Sequence, residues 1–148
     1  MKKLTMILIG VFLFCQVYSQ TDSTIVIFDK DSKIIGFDIS EYSRFTPNYV
    51  DYYEIDSIVA KYVFINSNER TIDKKSITNY SEYYKQIYGL VNAEGDKILF
   101  INCFYDSDNH KDWKNKTVAV KGGGKNYFSL KINLSDNEIS DFGVNAPK

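Results

Sequence analysis

A cysteine and a histidine are the residues of this chain best suited to nucleophilic chemistry. Cys103 is followed seven residues later by His110, the only histidine. A thiolate nucleophile needs a base within hydrogen-bond reach, and these two side chains meet only if the intervening loop folds back. Cys103 also lies in an apolar run, where cysteine usually behaves as a small hydrophobe. A buried structural cysteine is the favoured interpretation, and a hydrolase or other enzyme that uses Cys103 and His110 is the alternative.

The segment after Cys103 carries acidic residues at alternating positions. Asp106, Asp108 and Asp112 are joined there by His110. Carboxylates at such spacing can bind Ca²⁺, but the EF-hand pattern is not met: Lys111 stands at its glycine position and the final glutamate is missing. We interpret the segment as a solvated acidic loop and predict no metal ion and no cofactor. Metal-assisted catalysis by this loop stays open as an alternative.

Aromatic side chains are the best candidates for ligand binding. The chain has 12 tyrosines, and exposed tyrosines offer rigid, amphipathic contact area. The candidate binding residues are Tyr84, Tyr88, Tyr105 and Trp113. Alternatively, the tyrosines fill the interface between a helix and a sheet, with their hydroxyls at the rim, and both interpretations stay open.

The hydrophobic pattern indicates which elements position these residues. Two apolar runs, 24–28 and 34–39, flank polar turn residues and predict a β-hairpin. A helix is predicted from Thr46-Pro47 to about Asn66, because threonine caps helices and proline suits the first turn. The apolar stripe of this helix contains Ile55, Ile58, Val59 and Tyr62, with Tyr52 at its edge.

The second half of the chain is dominated by strand patterns. Residues 66–81 are polar and aperiodic and are interpreted as a surface connection. Strands are predicted at 83–92, 97–105, 117–121 and 127–134, and the second of these is apolar on both faces, as in a central strand.

The order of these elements predicts an α+β domain. An N-terminal hairpin precedes one helix, which packs on an antiparallel four-stranded meander. The arrangement is cystatin-like in element order, a likeness that by itself carries no function.

The first nineteen residues have the pattern of a secretory signal peptide. Two lysines precede an apolar run, residues 4–14, and Ser19 supplies the small residue before a cleavage site. The run is shorter than the roughly 20 residues that span a bilayer. We predict that residues 1–19 are removed on export, to the periplasm, the cell surface or the medium. Residues 20–148 then form one domain with no stable membrane span.

Composition limits the partners of this domain. Cys103 is the single cysteine after residue 19, so no internal disulfide can form and the fold depends on core burial. The net charge of −1 offers no basic surface for nucleic acid. We therefore predict no nucleic-acid partner.

A resemblance extends over most of the chain from residue 46 to residue 145. The segments that carry it, together with the cleavage region 18–20, are 46–47 with Asp51, 84–89, 95–98, 101–104, 122–123, 128–134 and 142–145. The chain resembles a set of small exported proteins of Bacteroidota with no assigned activity. The resemblance implies an exported single domain and offers no catalytic residues to carry over.

These observations favour an exported, non-enzymatic binding module over an enzyme. The number of tyrosines supports binding, and no catalytic motif stands out in the sequence. The expected partner is a protein or an extracellular glycan.

Overall fold

The structure is a computed structural model that describes residues 24–70, 77 and 79–147. The predicted signal peptide, residues 1–19, lies outside these described residues. The predicted α+β class is confirmed, because the described residues contain a sheet of six strands and two α-helices. In chain order the elements are β1 (Ile25–Ile27), β2 (Ser43–Phe45), α1 (Tyr49–Tyr53), α2 (Asp56–Arg70), a 3-10 helix (Tyr80–Glu82), β3 (Tyr84–Val91), β4 (Lys97–Phe104), a second 3-10 helix (Gly124–Asn126), β5 (Tyr127–Asn133) and β6 (Ile139–Val144).

The strands form one mixed sheet in the order β1-β3-β4-β5-β6, with β2 also paired to β3. The strands from β3 to β6 pair antiparallel with their neighbours. β1 runs parallel to the first half of β3, with Ile25 opposite Lys85. β2 runs antiparallel to the second half, with Phe45 opposite Gly89. β1 and β2 therefore follow one another along the same edge of β3.

The predicted N-terminal hairpin is wrong. Residues 24–28 contain β1, but β1 pairs with β3, and residues 34–39 form no strand. This second apolar run packs on a face of the sheet instead, where the rings of Phe37 and Phe100 meet edge-on with centroids 4.8 Å apart. A segment that covers a sheet face has the same apolar composition as a strand, so composition does not separate the two.

The predicted helix is present, but it begins later and is divided in two. Asn48, not Thr46, is the N-cap: its side chain accepts a hydrogen bond from the Asp51 N–H, and the Asp51 carboxylate accepts one from the Asn48 N–H. These reciprocal bonds form a capping box. Thr46 Oγ1 instead accepts a hydrogen bond from the Lys30 N–H, at 3.0 Å. α2 continues past the predicted end near Asn66.

The two helices bury one stripe of side chains against the sheet. Tyr52, Ile55, Val59 and Val63 are fully or almost fully buried. Ile58, part of the predicted stripe, is 37% exposed, because Val59 and Val63 lie on the face of α2 that packs against the sheet and Ile58 lies beside that face.

The predicted surface connection, residues 66–81, is partly structured. It includes the end of α2 and the start of the first 3-10 helix, while residues 71–76 and 78 lie outside the described residues. Ile77 is buried, and its N–H donates a hydrogen bond of 2.8 Å to Ser67 Oγ. This segment therefore contributes an apolar side chain to the core.

The strands predicted at 83–92, 97–105 and 127–134 are present as β3, β4 and β5. The one predicted at 117–121 is not part of the sheet, whereas β6, for which the sequence pattern makes no prediction, forms one edge. The predicted four-stranded meander and the cystatin-like arrangement are therefore not confirmed. The fold is instead a mixed six-stranded sheet with two helices.

Both faces of the sheet are covered. The helix face packs against α1 and α2, and the opposite face, which we call the loop face, packs against irregular chain from residues 28–42 and 105–124. β4 is buried on both faces from Ile98 to Phe104, as its continuous apolar pattern predicts. Backbone polar groups of irregular chain that covers a sheet need hydrogen-bond partners outside a strand ladder.

Candidate functional site

The loop face carries a row of polar side chains between two mainly aromatic rows. Strand register places Gln86 of β3 opposite Asn102 of β4, and Asn102 opposite Ser129 of β5. Phe100 and Phe104, two positions away along β4, belong to the flanking rows. Gln86 is 0% exposed and Asn102 is 5% exposed. Polar groups buried this deeply need hydrogen-bond partners, and the covering loop supplies them.

Gln86 and Asn102 together hold the backbone of that loop. Gln86 Nε2 donates to the carbonyls of Trp113, at 2.6 Å, and Lys116, at 2.7 Å. Gln86 Oε1 accepts from the Val118 N–H at 2.8 Å and from Asn102 Nδ2 at 2.9 Å. Asn102 Nδ2 also donates to the Val118 carbonyl at 2.8 Å. We call this network the amide clamp. Residues 117–121 form no strand, and the clamp provides backbone hydrogen bonds to Val118 that a neighbouring strand would otherwise provide.

Thr117 joins the two irregular segments of the loop face. Its hydroxyl accepts hydrogen bonds from Tyr88 Oη, at 2.9 Å, and from the Ile35 N–H, at 3.3 Å. The same hydroxyl donates to the Lys33 carbonyl at 3.1 Å. Thr117 thus links the segment of residues 105–124 to β3 through Tyr88, and to the segment of residues 28–42 through Lys33 and Ile35.

A cavity of about 220 Å³, which we call the sheet-face cavity, lies at the Ser129 end of the polar row. Its walls combine apolar, aromatic and uncharged polar side chains with one lysine. The lining residues are Gly36, Phe37, Asn102, Val118, Ala119, Val120, Lys121, Tyr127, Phe128, Ser129 and Asn145.

Asn102 presents an unpaired acceptor to this cavity. Its amide nitrogen donates to Gln86 Oε1 and to the Val118 carbonyl. Its Oδ1 accepts no hydrogen bond from the described residues, in which every fully buried side-chain polar atom has a partner. Oδ1 therefore keeps some exposed surface, and the sheet-face cavity is the space that Asn102 lines. An amide oxygen of this kind accepts hydrogen bonds only.

An open groove of about 770 Å³ adjoins the cavity along the loop of residues 108–119. Val118 and Ala119 line both spaces. The groove is bordered by charged side chains, among them Lys111 and the ion pair of Asp112 with Lys116.

The structure brings two of the four predicted binding residues together. Tyr84 stacks on Phe104 and meets the Trp113 ring edge-on, with centroids 5.2 Å apart. Trp113 is only 7% exposed. Tyr84 and Tyr105 border a separate depression of about 420 Å³ with residues 106–108 and 126.

Of the other two predicted binding residues, Tyr105 shares that depression with Tyr84, and Tyr88 lies in the core. Tyr88 is fully buried and stacks on Phe28, and burial raises its pKa to about 12. Tyr105 is 48% exposed and packs edge-on against Tyr83. Tyr84 therefore lies beside both Trp113 and Tyr105, whereas Tyr88 has a core role away from them.

Cys103 and His110 lie on opposite faces of the sheet. Cys103 belongs to the core cluster of the helix face, where burial raises the pKa of its thiol to about 12. His110 packs edge-on against Phe104, the neighbouring residue that points to the loop face, and its Nε2 lies 3.0 Å from Tyr127 Oη. A nucleophile and its base must be in hydrogen-bond reach, so this pair does not form a catalytic dyad.

Two carboxylates of the acidic loop, those of Asp106 and Asp112, have partners within the loop itself. Asp106 accepts hydrogen bonds from the Asp108 N–H and from Asn109 Nδ2. Asp112 pairs with Lys116 at 2.9 Å. The part of the chain that the structure describes contains no group of three or more His, Cys, Asp or Glu side chains placed to hold a metal ion.

A second buried polar network lies on the helix face. Lys85 is 2% exposed; its Nζ donates to the Tyr83 carbonyl at 2.8 Å and lies 4.6 Å from the centroid of the Tyr80 ring. Tyr52 Oη donates to the Asp56 carboxylate and lies 3.2 Å from Tyr80 Oη. Burial raises the pKa values of both hydroxyls. Within the described residues, no fully buried side-chain polar atom of this network lacks a hydrogen-bond partner.

The residues that build the sheet-face cavity carry a weak signal in the sequence. Gln86 and Asn102 are polar residues in strands that are buried on both faces, and Lys85 is a further one in β3. Buried polar residues in such strands indicate a network or a site. The pairing of Gln86, Asn102 and Ser129 in one row depends on register, which the sequence alone does not show.

Comparison with known proteins identifies no relative: no family, no curated protein and no solved structure matches this chain. Within the described residues, none of the helices is long and apolar enough to cross a membrane.

Proposed function

We propose that this chain is an exported, non-enzymatic binding module and that its ligand is held on the loop face. The observation that carries the proposal is the unpaired Asn102 Oδ1 in the sheet-face cavity. Because Oδ1 keeps exposed surface and accepts no hydrogen bond from the described residues, it is free to accept one from a ligand. Such a ligand exchanges a hydrogen bond with water for one of fixed geometry.

The rigidity of the loop face supports binding. The amide clamp and Thr117 hold the covering chain at several points. A preorganised site loses little conformational entropy when a ligand binds. Of the two partner classes left by the sequence, protein and extracellular glycan, the small cavity with its mixed polar and aromatic walls favours a glycan.

A non-enzymatic role agrees with the placement of the reactive groups. Cys103 is buried on the helix face, away from the sheet-face cavity. The nucleophile of the alternative enzyme would therefore be separated by the sheet from the space where a ligand binds.

Export is supported by the basic and apolar start of the sequence. Expression of the full chain in a Gram-negative host, followed by mass spectrometry of the periplasmic product, tests it. We expect a mature protein that begins at Gln20. Retention of residues 1–19 on a cytoplasmic product would contradict export.

Binding on the loop face is tested by nuclear magnetic resonance. We expect that ¹⁵N-labelled residues 20–148, screened with neutral, anionic, cationic and amide fragments, show amide shifts at Ala119, Ser129 and their neighbours. Ser129→Leu places a larger apolar side chain in the cavity and should abolish the shifts. Ser140→Leu, at an exposed position of β6, is the matched control and should retain them. Shifts confined to other surfaces, or no shifts at all, would refute the proposal.

A further inference from the structure

We propose that the sheet-face cavity holds one neutral sugar ring, with a ring hydroxyl donating a hydrogen bond to Asn102 Oδ1. The inference rests on the proposed binding function and names its ligand class. Oδ1 can only accept, and the Asn102 amide nitrogen is already held by Gln86 and Val118. This acceptor therefore selects a donor and disfavours a carboxylate or phosphate oxygen.

The charges around the cavity disfavour a cationic donor. Lys121 is the charged residue of the lining, which contains no aspartate and no glutamate. An ammonium or guanidinium group would lose hydration without gaining a counter-charge, and it would be repelled by Lys121. A neutral donor is left as the better fit.

A hydroxyl matches the other polar groups better than an amide N–H does. Ser129 brings a hydroxyl that can both donate and accept, and Asn145 brings a second amide, whose Nδ2 is bound to the carbonyls of Val120 and Gly122. A sugar hydroxyl also donates and accepts at one atom. It can therefore bond to Asn102 and to Ser129 at the same time.

The walls and the volume fit a single ring. Phe37 and Tyr127 contribute aromatic surface on which the C–H face of a sugar can pack. The volume of about 220 Å³ is below the roughly 300–1,000 Å³ that is typical of pockets for drug-sized ligands. Further rings of a glycan chain would lie in the open groove, which shares Val118 and Ala119 with the cavity.

Titration with small probes tests the ligand class. The sugar probes are the methyl glycosides of glucose, galactose and mannose. The competing probes are acetate and phosphate as anions, methylammonium and guanidinium as cations, and N-methylacetamide as a peptide amide. We expect at least one glycoside to shift the Asn102 side-chain amide and the Ser129 backbone amide, with every competing probe at least tenfold weaker.

Variants at Ser129 separate hydrogen bonding from folding. Ser129→Ala keeps the cavity open and should weaken glycoside binding severalfold, while Ser129→Leu should abolish it. Ser140→Leu should leave the affinity unchanged. Because Ser129→Ala removes one atom from a half-buried side chain, it remains informative if Ser129→Leu does not fold.

The outcomes distinguish this inference from the proposed function. If an amide, an anion or a cation shifts the cavity residues as strongly as the glycosides do, the sugar assignment is wrong and the binding module stands. If no probe shifts them, both proposals fail. Glycoside shifts located only on α1 and α2 would also overturn the assignment.

Discussion

At the scale of single residues, buried polar groups serve different purposes on the two sides of the sheet. On the helix face, Lys85 and Tyr80 are satisfied by their immediate neighbours. On the loop face, Gln86 and Asn102 use their amides to hold irregular backbone, and one acceptor is left over. The first network stabilises a core, whereas the second has a group available to a ligand.

Cys103 provides a residue-scale prediction. Burial raises its thiol pKa to about 12, and only the thiolate is nucleophilic. We expect iodoacetamide to label native residues 20–148 at mildly alkaline pH far more slowly than the same protein unfolded in urea. The labelled fraction can be followed by intact-mass spectrometry. Equal rates in the native and unfolded states would show that the thiol is accessible.

At the scale of elements, the loop face shows how irregular chain replaces a layer of secondary structure. The segment of residues 105–124 covers β3 and β4 with few ladder hydrogen bonds of its own. Its backbone is paired by side chains of the sheet instead, chiefly Gln86 and Asn102. The stability of the covering loop therefore depends on side chains distant in sequence.

Gln86→Ala tests the amide clamp. The substitution leaves the Trp113 and Lys116 carbonyls and the Val118 N–H without their side-chain partner. Each unsatisfied buried group costs about 1–3 kcal/mol, so we expect a loss of at least that size in the free energy of unfolding. Hydrogen exchange should become faster at residues 113–118.

Lys116→Ala is the matched control for the clamp. It removes only an exposed ion pair with Asp112 in the same loop, and such pairs contribute little to stability. We expect an almost unchanged urea midpoint and unchanged exchange. Similar exchange in the Gln86→Ala and control variants would mean that the clamp does not hold the loop.

A pair of glycine substitutions tests the packing of β2 on β3. A Cβ at Gly89 would lie 2.4 Å from the Phe45 carbonyl oxygen, whereas a Cβ at Gly143 would meet its nearest atom at 3.9 Å. We expect Gly89→Ala to cost about 1–3 kcal/mol, the usual range for overpacking. Gly143→Ala should be neutral or slightly stabilising, because alanine suits a strand better than glycine. Equal unfolding midpoints for the two variants would contradict this register.

At the scale of the whole molecule, burial of aromatic residues on both sheet faces makes stability dependent on pH. Burial raises the pKa values of Tyr83 and Tyr88 to about 12, and it raises those of Tyr52 and Tyr80 as well. In the unfolded chain these hydroxyls ionise near their ordinary value of about 10. The native state therefore retains protons that the unfolded state releases.

We expect stability to be lost on the alkaline side. The contribution of these tyrosines to the free energy of unfolding is fully present below about pH 10 and falls as the pH rises towards 12. Each unit by which folding raises a pKa corresponds to about 1.4 kcal/mol of that contribution. Urea midpoints measured between pH 8 and pH 11 should fall steeply at the upper end. In Tyr88→Phe the decrease should be shallower, whereas Tyr49→Phe, at an exposed position, should leave it unchanged. A midpoint independent of pH would contradict burial of the hydroxyls.

The sequence by itself determines the class of the fold and much of the central sheet. Alternating and continuous apolar runs predict β3, β4 and β5, because a strand buried on one face alternates apolar and polar residues and a strand buried on both faces is apolar throughout. The same reasoning predicts a helix between β2 and β3 and a buried Cys103. Each of these features depends on residues close together in the chain.

Only the tertiary structure decides which segment covers which surface. The apolar run at 34–39 resembles a strand, yet it packs on the loop face, and residues 117–121 are held by Gln86 and Asn102 rather than paired in the sheet. β6 and the sheet-face cavity depend likewise on register between distant strands. A local sequence pattern indicates whether a side chain is buried. The segment against which that side chain packs is determined by packing and hydrogen bonding between parts of the chain that are far apart in sequence.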